Sequence, residues 1–177
     1  MSTLAMRSFI FLLSFSALFI QPIYSDIKSK ELKENTKNIK IKDIKLKILN
    51  GPQNGAAYLS IYNSNKYSVI LYKVEVDPDV FDRVELHDHI ERKDGNGLKF
   101  MEMLEIPQME IDAGGTLFLR CGGKHLMLIG IKKTLCQFEK LKFIFHFRVG
   151  AKEFTKAIEI DFKKSLLDPK NKRCEAE

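Results

Sequence analysis

The sequence predicts an all-β domain, a sandwich or barrel of about nine strands. Three observations predict it. Apolar residues recur at every second position in one segment after another, which places them on one face of an extended chain. Gly- and Asn-rich turns separate those segments, and no stretch sustains the 3.6-residue period of a long helix.

The elements follow in order. Ile39 and Ile41, then Ile44, Leu46 and Ile48, alternate with polar residues, and the slip at Asp43 predicts a bulge. Ala57 to Tyr62 and Ser68 to Val76 read as strands divided by the turn Asn63-Ser64-Asn65. Arg83 to Glu91 and Leu98 to Ile106 flank a turn at Asp94-Gly95-Asn96-Gly97 and form a hairpin. Ala113-Gly114-Gly115 leads into Thr116 to Arg120, and Gly122-Gly123 into His125 to Ile131. Leu141 to Val149 and Glu153 to Phe162 close the set. There is no internal repeat.

Around this domain, 39–162, the chain carries three other segments. Arg7 precedes Phe9 to Ile20, an almost unbroken apolar run of 12 residues. As a helix that run rises about 18 Å, too short for a bilayer core of about 30 Å. Residues 1–25 therefore read as a secretory signal peptide, with an uncleaved membrane anchor as the alternative. The expected location is the periplasm. Residues 26–38 are polar and rich in Lys and Glu, a flexible lead-in. Residues 163–177 form a polar tail.

Hydrophobic residues make up 45% of the chain and charged residues 29%, with a net charge of +6. Lysines toward both ends carry much of that excess, not one basic face interleaved with aromatics, so nucleic acid is not an expected partner. Phosphate-cradling Gly loops and Ser/His/Asp arrangements with recognisable context are missing, and catalysis is not expected. Cys121, Cys136 and Cys174 show no C-x-x-C spacing, which argues against a thioredoxin-type motif or a zinc knuckle. In an oxidising compartment Cys121 and Cys136 could bridge.

The chemistry lies in three pairs. In the segment around His87, apolar Val84, Leu86 and Ile90 alternate with Arg83, Glu85, His87, His89 and Glu91. After the turn, Leu98, Phe100, Leu104 and Ile106 form the inward set, and Lys99, Met101, Met103 and Glu105 the outward one. Leu126 and Leu128 point inward, while His125 and Met127 point the other way. Each strand thus offers an imidazole or thioether pair on the face opposite its core set. Pairing Lys93 with Gly97 sets His87 opposite Met103. A register two places on sets His89 there instead, and a shift of one would separate imidazoles from thioethers.

Soft, uncharged thioethers with borderline imidazoles select copper(I) over calcium, magnesium or manganese. Zinc rarely recruits a thioether. An outward, shallow position predicts an accessible ion that can be passed on. His146 reads as a surface histidine, and Met109 as ordinary packing.

Val84-Glu85-Leu86-His87, Ile111-Asp112-Ala113-Gly114-Gly115-Thr116 and Gly122-Gly123-Lys124-His125-Leu126-Met127-Leu128-Ile129-Gly130 resemble the periplasmic copper(I) chaperones called PCuAC. Ala57 to Asn63 resembles that family's early strand, so the likeness spans roughly residues 40 to 162. The family pattern of His, ten residues, Met, twenty-one residues, His, one residue, Met is reproduced in its second half by Met103, His125 and Met127. The first half departs, because fifteen residues separate His87 from Met103.

The resemblance implies a cupredoxin-like Greek-key β-sandwich and copper(I) held by His87, Met103, His125 and Met127. His89 and Met101 stand as additional ligands, with His89 the alternative to His87. It further implies delivery toward cytochrome c oxidase, through its subunit II or a thiol-based copper assembly factor. The tail has neither Met nor His, so no second copper store is expected there. The competing reading is a metal-free adhesion or assembly module of the same sandwich shape.

Overall fold

The computed structural model describes residues 33–48, 54–132 and 138–166. The expected signal peptide, most of the lead-in, Cys136, Cys174 and the tail from residue 167 lie outside these. From Asn35 onward the chain forms one compact unit; of the unit before it, only Lys33 and Glu34 are described.

Among the described residues alternation builds ten strands: β1 (Ile39–Ile48), β2 (Asn54–Asn63), β3 (Val69–Val76), β4 (Arg83–Lys93), β5 (Lys99–Glu105), β6 (Met109–Ile111), β7 (Thr116–Leu119), β8 (His125–Ile129), β9 (Lys140–Val149) and β10 (Lys152–Asp161). Nine were expected. The addition is β6, whose 3 residues are too few for an alternating pattern to register. One antiparallel sheet runs β1-β2-β8-β4-β5, with β7 also on β2; the other runs β10-β9-β3-β6. The expected sandwich is what forms.

Its core lies between the sheets. Leu141, Phe143, Phe145 and Phe147 of β9 are buried from one side, and Leu59, Ile61, Leu126 and Leu128 from the other. Each such side chain contributes about 1.5–3 kcal/mol through burial, so this interleaving dominates the stability. The bulge expected at Asp43 is present. Asp43 takes φ 57°, and the β1–β2 register shifts between Lys42 and Lys45. That shift moves the buried set from odd to even positions, turning Leu46 and Ile48 into the core.

Packing extends beyond residues 39–162 at both ends. Residues 33–38 are helical, Asn35 is buried, and the Tyr67 hydroxyl donates to Asn35 Oδ1. After β10 a short helix, Phe162–Ser165, is capped by Asp161 and buries Phe162, and Leu166 bridges to Leu46. Single anchors of this kind leave no periodic trace.

The β4–β5 hairpin departs from expectation in a different way. Of its inward set, Leu86 is buried and Leu104 and Ile106 are half-buried. Ile90, Leu98 and Phe100 are instead 37%, 70% and 47% exposed. The hairpin outruns the opposing sheet, so alternation there no longer means burial.

Candidate metal centre

Register decides which donors meet. β4 pairs with β8 so that His87 faces His125 and Glu85 faces Met127. β4 pairs with β5 so that His89 faces Met103, His87 faces Glu105 and Glu91 faces Met101. Imidazoles and thioethers therefore share one face, and the second of the two expected registers is the one adopted. Lys93 pairs with Lys99, because the turn is longer than a three-residue loop. His87 sits at the centre, with His125 beside it and Met103 and Met127 on diagonals across the flanking strands. In a flat sheet that Met103–Met127 diagonal spans roughly 16 Å between Cα atoms. The sheet's twist and the reach of both thioethers have to close it.

The three imidazoles form a cluster. Ring centroids of His87 and His125 are 5.6 Å apart, and those of His89 and His125 5.3 Å. One backbone carbonyl orients two of them: Gly123 O lies 2.9 Å from His125 Nδ1 and 3.2 Å from His89 Nδ1. It is placed there by the turn before β8, where Gly122 takes φ 77° and Arg120 N donates to Lys124 O. In the neutral tautomer that donates Nδ1–H to that carbonyl, each ring carries its free lone pair on Nε2. His87 is held the opposite way, its Nε2 lying 2.9 Å from Glu85 Oε2. His87 Nδ1 is then buried with no hydrogen-bond partner. A bare, buried ring nitrogen costs about 1–3 kcal/mol unless something completes it.

Burial corrects one expectation. His87 and His125, expected on an open face, are only 8% and 4% exposed. Neighbouring rings cover them, including Tyr58, whose centroid is 6.4 Å from that of His125. Met127 and His89 are half-buried, whereas Met103 and Met101 are 45% and 55% exposed. The centre is a buried pair of histidines with an open thioether rim. Burial, the largest cause, pushes the His125 pKa down and favours the neutral, ligating ring. The hydrogen bond from His87, followed by Arg83, holds the Glu85 carboxyl below its usual range. Among the described residues no three His, Cys, Asp or Glu side chains are placed to hold a metal ion.

Residues 39–158 match the LpqE-like lipoprotein family. The chain belongs to it.

No curated protein shows significant similarity to this LpqE-like chain. Among solved structures, the copper-bound PCuAC domain from PmoF2 is similar with a TM-score of 0.50 and 19% identity, over 70% of this chain and 89% of that one. The apo PCuAC domain from PmoF1 gives 0.49 and 20%, over 70% and 92%. The first of these places the LpqE-like chain in the same β-sandwich fold.

The remaining candidates stand apart from the centre or at its rim. Cys121 is exposed and, among the described residues, forms no disulfide. It touches Tyr58, whose hydroxyl is pushed up to about 12 by burial and then by this thiol. His146 lies on β9 of the other sheet, on the face opposite the buried phenylalanines, with Nε2 3.3 Å from Glu75 Oε2. Met109 is buried, as expected. An open groove of about 370 Å³, lined by Asp88, Asp112, Phe118, Arg120 and Lys124 among others, includes none of the imidazoles or thioethers. Sequence reading passed over Glu85 and Gly123 as orienting groups. Glu85 was detectable, since it sits two residues before His87 on the same face; the Gly123 carbonyl was not.

Proposed function

We propose that this LpqE-like protein is an exported copper(I) carrier, holding one ion with His87, His125, Met103 and Met127. His89 and Met101 serve as neighbouring donors on the rim. The observation that carries this reading is the bare Nδ1 of His87, buried next to a second imidazole and flanked by thioethers on both adjoining strands. Imidazoles whose other nitrogen is fixed by a carboxylate or carbonyl are the usual form of metal-ligating histidine. The neutral donor set suits a soft monovalent ion, and the copper in the PmoF2 PCuAC domain supports the choice.

The buried histidines hold the ion, and the exposed Met103 gives an acceptor a route to it. Delivery runs toward the copper centre of cytochrome c oxidase, in the periplasm, and involves no catalytic turnover. Anaerobic copper(I) titration against a chromophoric chelator tests the site. The wild type should take up one equivalent, and His125→Ala should lose it. Equal affinity in the two proteins would refute the assignment. Incubation of loaded protein with the soluble domain of oxidase subunit II tests delivery, through copper appearing on that domain.

A further inference from the structure

The free edge of the first sheet carries a pattern that the copper reading does not use. β5 is the last strand in its sheet and, among the described residues, pairs only with β4. Asp94 N donates to Leu98 O, and Ile106 N to Leu86 O. The even positions of β5 therefore bond to β4. Antiparallel alternation directs the N–H and C=O groups of Lys99, Met101, Met103 and Glu105 to the open edge. Such a row is a template for another strand.

We propose that the occupant is a second copy of this chain, joined antiparallel through β5 about a two-fold axis at Glu102. The sequence Lys99-Phe100-Met101-Glu102-Met103-Leu104-Glu105 is complementary to its own reverse. That register places Lys99 opposite Glu105 of the second copy, Met101 opposite its Met103, and Phe100 opposite its Leu104. Two ion pairs, two thioether contacts and two apolar contacts form at once, the isologous arrangement of a two-fold dimer. The residues concerned are open: Phe100, Met101 and Met103 are 47%, 55% and 45% exposed. Only Glu102 meets its own copy, and each Glu102 is held by Arg92 at 3.0 Å. An edge of seven residues buries little area, so the dimer dissociates on dilution. Each copy then lends Met101 to the rim beside the other's Met103.

Sedimentation velocity of metal-free protein, over about a hundredfold range of concentration, tests this independently of copper. The expected result is a monomer–dimer equilibrium. Lys99→Glu and Glu105→Lys should each weaken it by about tenfold or more, because two ion pairs become two like-charge pairs. The double variant Lys99→Glu/Glu105→Lys should restore it. Met101→Pro should abolish it without disturbing the β4–β5 ladder, since that N–H faces the open edge. A monomer at every concentration, or single charge variants that dimerise like the wild type, would overturn the proposal.

Discussion

His87 takes its orientation from Glu85, whose Oε2 accepts from Nε2 at 2.9 Å and leaves Nδ1 buried without a hydrogen-bond partner, the atom the proposed site would use. Glu85→Gln keeps the size of the side chain but weakens that hold, because a neutral amide oxygen is a poorer acceptor than a carboxylate. Copper(I) affinity should fall about 10- to 100-fold, the usual cost of removing a ligand's supporting group. The unfolding midpoint of the apo protein should fall only modestly near pH 7, through the lost charge-assisted bonds to His87 and Arg83. Competition titration and thermal melts on the same variant separate these effects. Register also ranks the two candidate histidines of β4. His87 faces His125 and lies diagonal to both Met103 and Met127, whereas His89 faces Met103 at the rim. His87→Ala should therefore cost more affinity than His89→Ala, and the reverse order would move the ion toward the rim.

Strands of this sandwich are joined by a few residues that do more than alternate. Asn63, fully buried at the end of β2, donates through Nδ2 to the carbonyls of Tyr67, Ile111 and Asp112 at 2.9–3.0 Å. Its Oδ1 accepts from the backbone and side chain of Asn65. It thereby ties β2 of one sheet to β6 of the other. Asn63→Ala would orphan several buried groups together, and urea unfolding should show a loss of about 2–4 kcal/mol. Gly130 is constrained by its backbone. It takes φ 68°, and an added Cβ would lie 1.9 Å from Asp82 Oδ2 and 2.7 Å from Asp82 Cβ. Gly130→Ala should cost about 1–3 kcal/mol in the same assay. These two residues mark where the sequence stopped being legible. Period-two patterning located nine strands, the Asp43 bulge and the shared face of His87, Met103, His125 and Met127. It was silent on β6, on the Asn63 hub and on the burial of His87, because those depend on contacts between segments distant in sequence. It also overstated the burial of Leu98 and Phe100, since alternation records which side a residue faces and not whether another sheet covers that side.

Across the whole molecule, the proposed site sets protons against copper for the same folded state. His125 titrates below its ordinary value of 6.5 when folded, chiefly because it is buried, so the unfolded chain takes up protons first as the solution is acidified. Stability is thus complete above about 6.5 and falls as pH drops through that value toward the folded pKa. The Glu85 carboxyl, held below 4.5 by His87 and Arg83, extends the loss in the same direction at lower pH, because its ionised form is the one the fold favours. On the proposed reading copper(I) would act oppositely, since an ion held by the neutral imidazoles of the folded chain would add about 2.7 kcal/mol at a free concentration a hundred times its Kd. Thermal unfolding under anaerobic conditions between about pH 7.5 and pH 5 should show the apo midpoint declining with acidification. The copper-induced rise in that midpoint should shrink over the same interval as protons displace the ion. A constant copper-induced rise would mean that sulfur alone holds the metal, while an apo midpoint that climbs on acidification would show that His125 is charged in the fold.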